Sequence, residues 1–444
     1  MLVNIHKPTF LLLFLLIGFH KSNAQVWTLE KCVDTALVHN KSLKMSRNTI
    51  AIGVQEYEEA KANLMPKVTA NADYRYFTNL PYQLMPLSVI GGANGQFKEA
   101  QFGVPHNINA NLQLSMPLYN PQAYGAIQTS KIALELANLQ YQKTDEQLYF
   151  EVSNLYYNAQ ILHHQLAFID SNLLNATKLL HNIQLLNKHL LATGTDVSKV
   201  RLQVSQITTQ KESIATKYEQ VLNALKFTLG IPIQQKLQIQ PDIQYQKTSE
   251  YASLSILDIG IIETQYRLLR SELNTLNNSK LPSFSFFGTY GSTGFGYDKK
   301  PDNFLKFYPI GFVGIQLSYP LFNGTVTKRK INQKKLELQN GDLQLGLVTE
   351  QNTMQAENSK MQRIVAERSV ETTSEQISLA QDIYEQSILQ QKLGTASLTD
   401  VLLADNALRE AQQTHLSAVI DYLKADLELK KATGNISTTK YQLK

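Results

Sequence analysis

Leu112-Gln113-Leu114-Ser115-Met116-Pro117-Leu118-Tyr119-Asn120 returns 203 positions later as Ile315-Gln316-Leu317-Ser318-Tyr319-Pro320-Leu321-Phe322-Asn323. Both stretches alternate apolar and polar residues, the period-two signature of a strand. Each then opens into a long run without proline, one between Pro121 and Pro232 and the other from Pro320 to the end. A strand therefore hands over to a helix twice, and the chain is a duplicated unit.

The prolines locate the helices, because proline inside a helix removes a hydrogen bond and clashes with the preceding turn. None lies between Pro8 and Pro66 or between Pro241 and Pro282. The first of these gaps predicts a helix from Thr28 to Asn63, ended by Met65-Pro66. The second predicts a matching helix from Ser253 to Ser279, ended by Leu281-Pro282.

After Pro121, Leu148, Val152, Leu155, Ala159, Leu162, Leu166, Ile169, Leu173, Ala176, Leu180 and Ile183 fall at alternating spacings of four and three. That is a coiled-coil seam. A second seam from Val197 through Val200, Val204, Ile207, Lys211, Ile214, Tyr218 and Val221 to Leu225 makes the pair an antiparallel hairpin closed by Gly230. The second copy repeats it from Val401 to Leu429 at a shift of 204, with His415 where the first has Lys211 and Gly434 where the first has Gly230. A polar group at the same level of both seams reads as a register device or a side chain reaching solvent. The partner helix, from Thr325 to Leu393, shows only Leu347, Met354 and Met361 every seven residues, with Glu350 and Glu357 between. It reads as a helix with a wetter face.

The strands come in pairs. Val68, Ala70, Ala72, Tyr74 and Tyr76 alternate with Thr69, Asn71, Asp73 and Arg75, and Ile108, Ala110, Leu112, Leu114 and Met116 alternate with Asn109, Asn111, Gln113 and Ser115. Phe284, Phe286 and Tyr290, then Val313, Ile315, Leu317 and Tyr319, form the second pair. A dozen residues at this alternation suits a tilted membrane strand, with lipid on the apolar face, so Leu112, Leu114, Ile315 and Leu317 are assigned to lipid. Tyr76, Phe77, Tyr119, Tyr319 and Phe322 suit interfacial girdles. Four strands close no barrel, and an open edge in lipid leaves backbone groups without partners, so the barrel must be shared. Three copies supply twelve strands.

The remaining features bound the class. Met1 to Ala24 reads as a secretory signal peptide, with Lys7, an apolar run from Phe10 to Phe19 and Ser22-Asn23-Ala24. The mature chain divides into a first repeat (25–250), a second repeat (251–434) and a C-terminal tail (435–444). No run of 18 apolar residues follows Ala24, so no transmembrane helix is expected. The formal charge of +5 is mixed along the chain and argues against a nucleic-acid partner. Cys32, the single cysteine, reads as a packed residue of the first helix. His163, His164, His181 and His189 share a helix without an i, i+4 pair, so neither a metal site nor a catalytic constellation nor a cofactor is indicated. Gly291-Ser292-Thr293-Gly294-Phe295-Gly296 reads as an outer hairpin loop.

The order helix, strand, strand, long helix, tip and returning helix, given twice, resembles the outer membrane efflux proteins of the TolC type. Gly394-Thr395-Ala396-Ser397-Leu398-Thr399-Asp400-Val401 matches the family's helical tip, a glycine followed after five residues by Asp-Val. The first tip departs from it: Leu190 holds the glycine position before Asp196-Val197, and the glycine falls at Gly194, beside Thr195. The resemblance implies a non-enzymatic homotrimeric duct: a twelve-stranded β-barrel in outer-membrane lipid and a twelve-helix α-barrel in the periplasm. It implies a periplasmic adaptor and an inner-membrane transporter as partners, and no cofactor. It also implies tips that gate the tunnel, at Asp400, Asp196, Gly394, Thr395, Gly194 and Thr195. Some members ring the constriction with two aspartates three residues apart; here Asp400 matches the first, and Leu403 stands at the second with Asp405 beyond it. The alternatives are the exit duct of a type I protein secretion system, a periplasmic adaptor, or a structural coiled-coil protein.

Overall fold

The computed structural model describes residues 26–243, 251–252, 256–296 and 306–436. The expected signal peptide, the 250/251 repeat boundary and all but the first two residues of the expected tail lie outside the described residues. In chain order come β1 (Val26–Trp27), α1 (Leu29–His39), α2 (Lys41–Ala62), β2 (Lys67–Tyr76), β3 (Tyr82–Pro86), β4 (Phe97–Gln101), β5 (His106–Tyr119), α3 (Pro121–Lys188) and α4 (Gly194–Leu229). Then follow β6 (Gln238–Ile239), α5 (Leu257–Asn278), β7 (Ser283–Gly296), β8 (Lys306–Ser318), α6 (Val326–Lys392) and α7 (Leu398–Ala432). The architecture is mainly helical, internally duplicated, with few strands. Two compact units are distinguished. One comprises Met1–Arg47, Gln140–Ile259 and Val348–Lys444, and the other Asn48–Leu139 and Gly260–Leu347.

In the first unit the seam of α3 is buried as its spacing requires. Ile169 and Ala176 of α3 pack on Ile207 and Ile214 of α4, with Leu162, Leu166, Leu173 and Val204 flanking. Burying one such aliphatic side chain stabilises the hairpin by about 1.5–3 kcal/mol. The paired polar level is real in both copies: Lys211 Nζ meets Asp170 at 2.6 Å, and His415 Nδ1 lies 3.1 Å from Thr373 Oγ1. At the shift of 204 that carries Lys211 onto His415, Thr373 corresponds to Ile169, the residue beside Asp170, so the polar level is kept but its partner comes from a different position.

Two expectations in this unit are corrected. The helix expected from Thr28 to Asn63 breaks at Asn40, which leaves helical geometry (φ −59°, ψ 128°). Its side chain accepts the Leu43 N–H at 2.9 Å and donates to Thr228 O at 2.8 Å, so a side-chain cap replaces helical continuation. In α6 the expected Leu347, Met354 and Met361 row is exposed. The buried row in this chain runs Ser359, Arg363, Ala366, Val370, Thr373, Ala380 and Tyr384, and its polar members hid it from a search for apolar periodicity.

The second unit carries a four-stranded antiparallel sheet in the order β2-β5-β7-β8. Register places Val68, Leu114, Gly288 and Val313 in one row and Ala70, Leu112, Tyr290 and Gly311 in the next. Paired residues share a face, so the apolar residues of all four strands gather on one side. Leu112, Ile315 and Leu317 are 54%, 69% and 59% exposed there, and Leu114 is half-buried. The opposite face is polar in the first copy, with Asn111 and Gln113. In the second copy it also carries Phe287 and Phe312, which meet edge to face at 6.2 Å. The glycine-rich 291–296 run is not a loop but the end of β7. A Cβ on Gly291 would lie 2.3 Å from Ala110 O, so glycine is needed for close strand approach. The loop between β2 and β5 also folds into a hairpin of its own, β3·β4, that no sequence period announced.

Candidate functional site

The two helical tips share one design. Each long helix ends in a left-handed residue, Gly394 at φ 76° and Leu190 at φ 59°. Leu190 N–H donates to Asn187 O at 3.0 Å and Leu191 N–H to Leu186 O at 2.8 Å. Gly394 N–H to Gln391 O at 3.1 Å and Thr395 N–H to Gln390 O at 3.0 Å repeat the pattern. The reversal of the first tip is therefore made by Leu190, although leucine is strained there. Gly194 instead is the first residue of α4.

Each returning helix starts in a capping box. Thr193 Oγ1 accepts the Asp196 N–H at 3.2 Å while Asp196 Oδ2 accepts the Thr193 N–H at 3.0 Å; Ser397 and Asp400 repeat this at 3.2 and 2.9 Å. The cap hydroxyls also donate to the same Oδ2 atoms, both at 2.7 Å, and these bonds, followed by those from the cap backbone, hold both carboxyls below the usual aspartate range. Asp196 and Gly394 line a common groove of 1040 Å³ together with Leu186, His189, Leu191 and Ala396. Asp400, Thr395, Gly194 and Thr195 are not among its lining residues. Thr395 Oγ1 donates to Gln390 O at 3.1 Å, and Thr195 is exposed.

The strain at Leu190 has a measurable consequence. Leu190→Gly is expected to leave thermal stability unchanged or raise it by up to about 1 kcal/mol, because a left-handed residue with a Cβ costs about 1–2 kcal/mol. By the same argument Gly394→Ala lowers it by about 1–2 kcal/mol. Melting curves of the two variants against the parent check both signs.

Further along, polar ties join the hairpins of the two copies. Gln203 of α4 donates to Asp405 of α7, whose carboxylate also meets Arg409 Nε at 3.0 Å, and Asn172 Nδ2 donates to Gln412 Oε1 at 2.9 Å. Asp405 is 3% exposed. Sequence reasoning noted it only as a displaced aspartate; its position next to the seam residue Ala404 was the signal of burial between helices. Desolvation outweighs Arg409 and Gln203 and pushes its carboxyl above the ordinary 3.8. A raised value in the folded chain means the folded state holds the proton more tightly than the unfolded one. This contribution to stability therefore falls as pH rises from 3.8 through the raised value. Asp405→Asn is expected to abolish that dependence, which thermal melts at mildly acidic and neutral pH would register as a smaller acid-side gain than the parent shows.

The Outer membrane efflux protein family matches residues 32–231 and 265–435. The chain belongs to this family. The outer membrane protein TolC of Escherichia coli (strain K12) is 22% identical over 456 residues, covering 96% of this chain and 87% of TolC. Among solved structures, CusC superimposes with a TM-score of 0.76 at 15% identity, covering 91% of each chain. VceC of Vibrio cholerae does so with a TM-score of 0.74 at 16% identity, covering 91% of this chain and 96% of VceC. Membership of the family places the chain in the outer membrane with its helical part in the periplasm.

Proposed function

We propose that the protein is the exit duct of a tripartite efflux system, carrying substrates from an inner-membrane pump and a periplasmic adaptor across the periplasm and outer membrane without catalysis. The observation that carries this reading is the sheet whose outer strands, β2 and β8, each have one neighbour in the chain and whose apolar face is exposed. Unpaired backbone is not tolerated in hydrocarbon, so both edges need partners from further copies. Three copies close twelve strands, and their twelve long helices form a tunnel. In this reading 1–24 is a signal peptide, 25–250 and 251–434 are the repeats and 435–444 is the tail.

The tips are the docking and opening surface, with Gly394, Thr395 and Asp400 in the second copy and Gly194, Thr195 and Asp196 in the first. Both carboxylates are engaged in caps, which leaves Asp400 two roles to be separated. In planar bilayers the purified protein should form channels, and Asp400→Ala should alter conductance or cation preference if that carboxylate faces the lumen. Normal assembly with no channel activity would count against the duct itself. Unchanged conductance would reduce Asp400 to its capping role.

A further inference from the structure

The two copies superimpose by shifts that the structure itself supplies. The β2·β5 pairing Ala72↔Ala110 recurs as Gly288↔Val313 in β7·β8, so first strands are related by 216 positions and second strands by 203. The shift of 216 also carries the end of α2 onto α5. Asn63 N–H to Glu59 O and Met65 N–H to Ala62 O, both 3.0 Å, recur as Ser279 to Thr275 and Leu281 to Asn278, also 3.0 Å. The uninterrupted helices α3 and α6 are related by 204, as their ends Lys188 and Lys392 and their tips show. The extra residue is absorbed at Gly324 and Thr325, which have φ 64° and 69°.

Inside the chain α3 packs on α5. Thr129 Oγ1 lies 2.9 Å from Ser271 Oγ, and a Cβ on Gly125 would lie 2.4 Å from Thr275 Oγ1. On this face Ile132, Thr264 and Ser271 are buried at 6%, 3% and 8%. The equivalent face of α2 is bare: Asn48, Gln55 and Glu59 are exposed, and Ile52 is 57% exposed. So is the equivalent face of α6, with Arg329 and Gln333 exposed and Leu336 62% exposed. Each bare face lacks the neighbour that its equivalent has, and the two are complementary by position. Gly125·Thr275 translates to Arg329·Glu59, opposite charges, and Thr129·Ser271 to Gln333·Gln55, two amides; Ile132 and Leu268, three residues on along α3 and three back along α5, translate to Leu336 and Ile52, two aliphatics.

We infer that Arg329, Gln333 and Leu336 of one copy dock on Glu59, Gln55 and Ile52 of a neighbouring copy. In the same seam β8 pairs with β2 of that neighbour in the register Leu317↔Ala72, the translation of Leu114↔Gly288. The inference rests on the shared-barrel reading and adds which surfaces meet and in what register. It also distinguishes the seams. A slot that admits no side chain at Gly125 is filled by arginine at the corresponding place, so the junction between copies is wider there than the junction within one, and it carries charge.

Cysteine pairs in the full-length protein, solubilised in detergent, test the register. Ile52→Cys with Leu336→Cys should form disulfide-linked dimers and trimers on oxidation, at least tenfold more than Ile52→Cys with Leu343→Cys, two helical turns away. Cys32 is buried with its thiol pushed up to about 12, so the parent should give no background. Glu59→Arg and Arg329→Glu should each weaken the assembly, and the double variant should restore it. A trimer that links better through Leu343, or that ignores both charge reversals, overturns the inference and leaves the shared barrel standing. A monomer that links through neither pair overturns both.

Discussion

Leu317→Arg should lose about 2–4 kcal/mol of barrel stability if its position lies near the bilayer midplane, and Leu114→Arg should do the same. Leu317 is 59% exposed and pairs with Phe284 on the apolar face of the sheet. A guanidinium there must leave water for hydrocarbon, and among the described residues no carboxylate stands on that face nearby to receive it. Gln113→Arg is the matched control. Gln113 pairs with Thr69 and Thr289 on the polar face, one residue away from Leu114, and its substitution should leave assembly intact. The fraction of chain recovered as an assembled, heat-modifiable species from the outer membrane reads both outcomes. Equal damage from Leu114→Arg and Gln113→Arg would reverse the assignment of faces.

Gly394→Pro is the second large effect. Proline holds φ near −65°, whereas Gly394 stands at φ 76° and donates its N–H to Gln391 O. The variant therefore loses both the conformation and the bond that reverse the chain, a local cost of about 3 kcal/mol or more. A Cβ at Gly394 would meet nothing within 4 Å, so the damage stays at the tip and trimer assembly should survive. Transport of a pump substrate in cells carrying the variant should be abolished while the assembled species is recovered at parental levels. Parental transport would remove the second tip from the docking surface.

Much of this was legible in the sequence because it depends on period and punctuation. The seam of α3 is apolar at nearly every buried position, and the strands alternate, so both declare themselves. The α6 seam did not, because Ser359, Arg363 and Thr373 occupy buried positions that apolar pattern matching skips. The break at Asn40 depends on a bond to Thr228, 188 residues away, which no local rule contains. The first tip was legible as the counterpart of the second, with Leu190 at the glycine position, but its conformation was not, because Leu190 adopts a conformation that leucine disfavours. Its hydrogen bonds to Leu186 and Asn187 identify it only in three dimensions. Of the tip residues named from sequence, Asp196 and Asp400 proved to be capping partners, and Asp405 became visible as a tie between hairpins only through Gln203 and Arg409.

The shared barrel is the claim on which the rest depends, and the mass of the purified protein in detergent, corrected for bound detergent, tests it most directly. The full chain weighs 50.1 kDa. The account predicts a protein mass close to three mature chains for the species that forms channels; a stable, channel-competent species with the mass of one chain would contradict it.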